Sequence, residues 1–149
     1  MTQPVMRMAD VAAAIAALTI QGITIFDLPN MKPALTDRDC PMLGPSSNNP
    51  SFLTDWQARR ITMQGNWSNS YTLNYTLFQA PVGTDRGLFA KYPDMIENAR
   101  KIVEAFQAIT KVDGCKNIVL LGMPAFGQVF DASGQQFHGA TFALRIIEF

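Results

Sequence analysis

The sequence predicts one α+β domain over residues 1–149, in which a mixed, mainly antiparallel β-sheet with hairpins packs against an N-terminal helix and one long helix. Three observations lead to this prediction. Two segments repeat apolar residues at helical spacing, several others alternate apolar and polar residues, and turn-forming residues crowd positions 27–50. A chain of 149 residues can bury roughly two-thirds of its unfolded surface in a single core.

The first helix is predicted over residues 8–19, and Gly22 follows its end. Its apolar positions recur at helical spacing and are Met8, Val11, Ala12, Ile15 and Leu18. Alanines elsewhere in the segment favour the helix and keep it slim, so we expect it to lie close against the sheet. No apolar run in the chain approaches the roughly 20 residues that a membrane-spanning helix requires, so no membrane partner is expected.

A short strand is predicted at residues 23–26, followed by a long proline-rich arm at 27–50. Turn-forming residues run through the arm at Asp27, Pro29, Pro33, Asp37, Asp39, Pro41, Pro45, Asn48, Asn49 and Pro50. Loops of this length are uncommon inside compact domains and often carry function. We therefore expect the arm to be mostly loop and to contact a partner.

A hairpin is predicted after the arm. The second strand, at residues 71–77, places Tyr71, Leu73, Tyr75 and Leu77 on one face and Ser70, Thr72, Asn74 and Thr76 on the other. The first face is expected to be core, and the second is expected to meet water or a partner. The first strand is predicted at about 56–64, with the turn supplied by the polar and glycine residues of 65–69.

The long helix is predicted over residues 93–110, with Pro93 as its first residue because a proline there gives up no intrahelical hydrogen bond. Its apolar stripe is Met95, Ile96, Ala99, Ile102, Val103, Phe106 and Ile109. A continuous apolar run at 118–121 then predicts a strand covered on both faces. Strand character continues at 126–130, and a last strand is predicted over 141–149 after a turn at 131–134.

The charge content favours association between proteins and argues against nucleic-acid binding. Charged residues make up 16% of the chain, below the roughly 25% of ordinary globular domains. Lys and Arg number 12 and so do Asp and Glu, so no net field attracts a polyanion, and sequence-specific nucleic-acid binding is not expected. A near-zero net charge with few ionised groups instead favours contacts between copies.

The sequence predicts no catalytic set, cofactor or metal site. His138 is the only histidine, Cys40 and Cys115 lack metal-ligand spacing, and the glycines match no phosphate-binding pattern. One alternative stays open, a small ligand-binding module or an enzyme built around His138, which would require a deep aromatic pocket with His138 at its mouth.

Aromatic residues of the hairpin allow two interpretations. Trp56, Trp67, Tyr71 and Tyr75 could form a stacking platform for bases or sugars. Because no excess of basic residues accompanies them, core or protein interface is the favoured interpretation. The adjacent Arg59 and Arg60 point to opposite faces of a strand, so one of them could contact an acidic partner.

The order of elements resembles that of the tail terminator proteins of long-tailed bacteriophages. The resemblance covers nearly the whole chain and is one of layout. The local sequence stretches that contribute to the resemblance are DLP at 27–29, DCPMLGP at 39–45, the strand at 71–77 and FALRIIEF at 142–149. Another head-tail connector, neck or tail-completion protein is the nearest alternative, because such proteins share small α+β folds.

The resemblance implies a structural virion protein without enzymatic activity. It would form a ring, generally a hexamer, that caps the tail tube, stops its polymerisation and presents a surface to the head connector. Its partners would be its own copies, the tail tube protein and a head-completion or connector protein, in the host cytoplasm during assembly and then in the virion. We expect contacts from the arm and from the polar face of strand 70–76, with candidate residues Asp27, Pro29, Lys32, Arg38, Asp39, Arg59, Arg60, Trp67 and Asn74.

Overall fold

The computed structural model describes residues 8–26, 31–32, 34–36, 39–46, 51–60, 67–82, 88–109 and 115–148. The described elements are, in chain order, α1 (Met8–Ala16), β1 (Thr24–Ile25), β2 (Met42–Pro45), β3 (Leu53–Arg60), β4 (Trp67–Pro81), α2 (Leu88–Ala108), β5 (Cys115–Phe130) and β6 (Gln136–Glu148). These elements confirm the predicted α+β class with an N-terminal helix and one long helix.

The strands form one mixed, mostly antiparallel sheet. Its order is β1-β2-β4-β6-β5, and β3 also pairs with β4. The β1–β2 pair is parallel, whereas the other pairs are antiparallel. Strand β6 pairs with one edge of β4. The other edge of β4 pairs with β2 in one part, where Met42 lies opposite Phe78, and with β3 in the next part, where Leu53 lies opposite Leu73.

Both predicted hairpins are present. In the first, β3 runs antiparallel to β4 with Arg60 opposite Trp67, and the connecting residues 61–66 lie outside the described part of the chain. In the second, β5 and β6 pair from Cys115 opposite Glu148 to Phe130 opposite Gln136. Alternating side chains along these strands therefore lie on the two faces of the sheet.

The start of α2 corrects the prediction for Pro93. The helix begins at Leu88, so Pro93 lies inside it and is not its first residue. A proline at this position removes one backbone hydrogen bond to the preceding turn. The helix nevertheless continues, because Met95, Ala99 and Ile102 beyond the proline are buried in the core.

The main core lies between the two helices and one face of the sheet, called here the helix face. The buried residues on this face of β4 are Tyr71, Leu73, Tyr75 and Leu77, as the alternation predicted. An edge-to-face series of rings joins the layers, with centroid distances of 5.4 Å for Phe52–Tyr75, 5.8 Å for Tyr75–Phe106 and 5.9 Å for Phe106–Phe142.

A second core forms where part of the predicted arm packs on the opposite face of the sheet, called here the arm face. Its buried members are Leu35, Met42, Phe78, Val129 and Phe137, and Phe26, Met31 and Cys40 pack against them. Residues 42–45 form β2, which is buried and hydrogen-bonded within the sheet. The prediction of loop is therefore wrong for these four residues, because pairing with β4 overrides their turn-forming composition.

Strand β6 comes so close to β4 that one position must be glycine. A Cβ on Gly139 would overlap the carbonyl oxygen of Leu77 and would lie 2.8 Å from Cγ2 of Val129. We expect Gly139→Ala to lower the free energy of unfolding by about 1–3 kcal/mol, because the backbone of β4 cannot retreat without breaking its pairing. Urea unfolding would measure the change, with Gln128→Ala, an exposed position on the neighbouring strand, as the control. Equal stability of the two variants would contradict the expected overlap.

Candidate subunit interface

Asp131 fastens the arm to the chain's own β5–β6 turn. The fully buried carboxylate accepts the Leu35 N–H at 3.0 Å through Oδ2. Its Oδ1 accepts the Ser133 hydroxyl at 2.6 Å, the Ser133 N–H at 3.0 Å and the Gln135 N–H at 2.9 Å. The arm at Leu35 is therefore held on its own sheet by a bond between residues far apart in sequence.

Two opposing effects act on the pKa of Asp131. Burial raises the pKa, but the hydrogen bonds from Ser133, Leu35 and Gln135 together outweigh burial and bring the pKa below its usual value of 3.8. The folded state therefore favours the ionised carboxylate, which is the form that accepts all four hydrogen bonds.

Lys32 and Asp39, two of the predicted contact residues, pair with each other. The Lys32 Nζ lies 2.8 Å from Oδ1 of Asp39, whose Oδ2 accepts the Thr36 N–H at 2.8 Å. The hydrogen bond from Lys32, followed by that from Thr36, lowers the pKa of Asp39. Lys32 is exposed and its Nζ lies 5.6 Å from the centroid of the Phe26 ring, so this ion pair organises the arm while Lys32 stays accessible.

Asn74 is placed where a partner cannot reach it in this arrangement. Its side chain is 6% exposed and its Nδ2 donates to the carbonyl of Ser51 and to Oγ1 of Thr54, both at 2.9 Å. Thr76 is also buried, and its hydroxyl lies 2.6 Å from that of Ser46. These contacts within the chain contradict the expectation that the polar side of β4 is open to water or a partner.

The remaining predicted contact residues fall into two groups. Arg59 and Arg60 end β3 opposite Ser68 and Trp67, so the structure brings three of the candidates to one end of the first hairpin. Asp27, Pro29 and Arg38 lie outside the described residues, and a contact role for them stays a prediction.

The described aromatic side chains of the first hairpin, Trp56, Tyr71 and Tyr75, do not form a common platform. Tyr71 and Tyr75 are buried in the core, where burial raises the pKa of Tyr75 above its usual value. Trp56 instead is 54% exposed at an irregularity of β3 next to Asp55, which has a positive φ of 56°. Bulges commonly redirect a side chain outward, and here the bulge accompanies an exposed indole.

Strand β5 carries exposed apolar side chains that the sequence patterns did not indicate. Val119, opposite Arg145, lies on the arm face, whereas Phe126, opposite Ala140 of the main core, lies on the helix face. The outer side of the strand, called here the β5 edge, ends the sheet, and no strand among the described residues pairs with it. Val119 is 51% exposed, Phe130 is 44% exposed and Phe126 is 36% exposed. Val119 therefore corrects the prediction that the run at 118–121 is covered on both faces.

The length and composition of β5 make this edge unusual for an isolated molecule. The strand has 16 residues, which corresponds to roughly 50 Å of strand. Exposed edges are usually protected by charged side chains, short length or proline, because their free N–H and C=O groups can pair with another chain. Here Lys116 is the one charged residue of the strand. The pairing with β6 is irregular at two places, between Cys115 and Asn117 and between Leu121 and Ala125, and Pro124 falls in the second. An edge of this kind is typical of a protein–protein contact.

His138, on which the enzyme alternative depends, is buried in the sheet. It lies in β6, opposite Ala80 on one side and Gln128 on the other. A shallow groove among the described residues is lined by Thr19, Ile20, Gln21, Arg100, Lys101, Glu104 and Ala105, and does not include His138. Within the described ranges, no group of His, Cys, Asp and Glu side chains is placed to hold a metal ion.

No protein-family model matches the chain, and the search of curated proteins finds no match. Neither described helix combines the length and the hydropathy that crossing a membrane would require.

The Asp131 contacts predict an acid-sensitive attachment of the arm. Because the folded-state pKa lies below 3.8, this stabilisation is present above pH 3.8 and is lost as the pH falls through the folded-state value. We expect Asp131→Asn to lower the free energy of unfolding at pH 7 by about 1–3 kcal/mol, since an amide group cannot accept all four bonds.

Unfolding measured between pH 7 and pH 2.5 would test this expectation, with Asp55→Asn as a matched control on the surface. The loss of stability on acidification should be smaller in Asp131→Asn than in the wild type or in the control variant. An unaltered acid profile in Asp131→Asn would show that the carboxylate does not hold the arm.

Proposed function

We propose that this chain is a structural subunit of the neck of a long-tailed bacteriophage, of the tail terminator type. Copies of the chain form a ring, of six subunits in such proteins generally, that caps the tail tube and stops its polymerisation. The ring then provides the surface for head attachment. The proposal rests on the layout resemblance and involves no catalysis and no cofactor.

The β5 edge is the observation that carries the proposal. A 16-residue edge strand, with Val119 partly exposed on one face of the sheet and Phe126 and Phe130 partly exposed on the other, gives the isolated subunit an edge suited to contact with another copy. The low charge content of the chain supports the same conclusion, because few charged side chains are present to oppose association between copies.

Ring closure places a further requirement on these contacts. A cyclic assembly of more than two subunits uses heterologous contacts, in which one patch meets a different patch on the neighbour. The β5 edge would supply one of the two patches. Contacts with the tail tube protein and with a head-completion or connector protein would lie on the two open ends of the ring.

The structure changes the proposed role of the arm. Leu35 and residues 42–45 are buried on the chain's own sheet, so these parts of the arm shape the subunit before any ring forms. The exposed Lys32 and the hairpin end at Arg59, Arg60 and Trp67 remain candidates for contacts with other neck components.

We expect the purified protein to form a closed ring whose mass is an integral multiple of the subunit mass, six copies being the expected number. Phe130→Glu should shift the population toward monomers, because burying a carboxylate in an apolar contact is costly. Mass photometry over a range of concentrations would measure the shift, with Gln107→Glu on the exposed side of α2 as the control.

A wild-type protein that stays monomeric at high concentration would overturn the proposal. A ring that forms but leaves the growth of tail tubes unchanged, when added to polymerising tube protein, would exclude the terminator role and favour another head-tail connector or tail-completion protein. A monomer that turns over a small substrate would favour the enzyme alternative.

A further inference from the structure

The described part of the sheet has a second unpaired edge besides that of β5. At the margin opposite β5, strand β1 pairs with the outer side of β2, but β3 pairs only with β4 among the described strands. The outer side of Leu53–Arg60, called here the β3 edge, therefore presents backbone N–H and C=O groups to which another chain can bind.

The β3 edge and the first part of the β5 edge lie at the same level of the sheet. Two rows of paired residues cross the sheet from β3 to β5 through β4 and β6. The first row consists of Thr54, Thr72, Arg145 and Val119, and the second consists of Gln57, Ser70, Ile147 and Asn117. A second copy placed beside the first, with its strands at the same height, would therefore bring its β3 next to this part of β5.

The two edge segments are also similar in length. Strand β3 has 8 residues. Strand β5 is divided by the irregular pairing between Leu121 and Ala125, and the part that lies level with β3 covers residues 115–121. One segment can therefore pair along nearly the whole of the other.

Strand direction favours a contact between these two edges. Strand β3 is antiparallel to β4, β4 is antiparallel to β6, and β6 is antiparallel to β5. Strands β3 and β5 therefore run in opposite directions. Rotation about a ring axis that follows the strands preserves their direction, so β5 of one copy would meet β3 of the next copy as an antiparallel neighbour. The same rotation keeps the helix face of every copy on the same side.

Side chains along the β3 edge are open to contact. Those of Asp55, Trp56, Gln57 and Ala58 are exposed, and Trp56 is 54% exposed. Tryptophan is enriched among the residues that contribute most to protein interfaces. The bulge that contains Asp55 and Trp56 interrupts the pairing with β4, but residues 57–60 beyond it pair regularly. The outer side of these residues is therefore extended backbone suited to pairing with another strand.

From this geometry we infer that the β5 edge of one copy pairs antiparallel with the β3 edge of the next copy, so that the sheets of neighbouring subunits are continuous. A ring requires two different patches, which excludes pairing of β5 with β5. Strand β1 has only 2 residues, so β3 is the remaining free edge of sufficient length among the described strands. This inference rests on the proposed ring and names the surface that meets the β5 edge.

Disulfide cross-linking of the full-length protein tests the inference. Both native cysteines are first replaced, as Cys40→Ser and Cys115→Ser. Val119→Cys is then combined in turn with Thr54→Cys, Gln57→Cys and Arg59→Cys. These three positions lie on the same face of the sheet as Val119, because they pair with Thr72, Ser70 and Ser68.

Oxidation should link at least one of these combinations into a series of products that ends at the size of the ring. Opposite residues of antiparallel neighbours have Cβ atoms about 4.5–5.5 Å apart, close to the separation that a disulfide needs. Within one subunit the two strands are three strand separations apart, roughly 14 Å, so the disulfide can form only between copies. Non-reducing gel electrophoresis and mass photometry would measure the products.

Two controls accompany the combinations. Val119→Cys with Ile96→Cys, which is also exposed but lies on α2, should give no series of linked products. Val119→Cys alone should give no linked dimer, since a dimer would indicate that β5 pairs with β5. Gln57 is exposed, so its combination remains informative even if Thr54→Cys, which removes the hydroxyl that Asn74 binds, fails to fold in a thermal melt.

The outcomes separate this inference from the proposed function. A wild-type ring, together with no linked series from any of the three combinations or with a linked dimer from Val119→Cys alone, would overturn the contact between β5 and β3 and leave the ring itself intact. A wild-type monomer would overturn both.

Discussion

Strand β4 is the central element of this fold, because three other strands form their backbone hydrogen bonds with its two edges. One edge pairs with β6 along most of its length, and the other edge is divided between β2 and β3. This arrangement places the aromatic residues of β4 against the helices and leaves β5 at the margin of the sheet. Both the main core and the exposed β5 edge follow from the way β4 is paired.

The two faces of the sheet are stabilised differently. Apolar packing against α1 and α2 covers the helix face, whereas the arm face combines a small apolar cluster with a row of hydrogen-bonded polar groups. Burying these hydroxyl and amide groups is tolerated because they find acceptors or donors within the chain. Arg145 differs from these groups, because it carries a charge and is held by neutral oxygen atoms.

The candidate interface was predicted less well than the fold. Low charge content indicated association, but the turn-rich composition of the arm and the alternation in β4 pointed to the arm and to the polar side of β4 as the contacts. Asn74 is instead buried by the loop that precedes β3, and Leu35 is held by Asp131, which lies 96 positions further along the chain. Contacts across such separations leave no periodic signal in the sequence.

By itself, the sequence determined which segments form helices and hairpins, because side-chain periodicity and turn chemistry act over a few neighbouring residues. Only the tertiary structure decided that residues 42–45 join the sheet, that α2 continues through Pro93, and that Val119 is exposed. These outcomes depend on which strand lies beside which, and strand order is set by long-range packing. An apolar run has the same sequence pattern in a central strand and in an edge strand, so its neighbours alone determine whether it is core or contact surface.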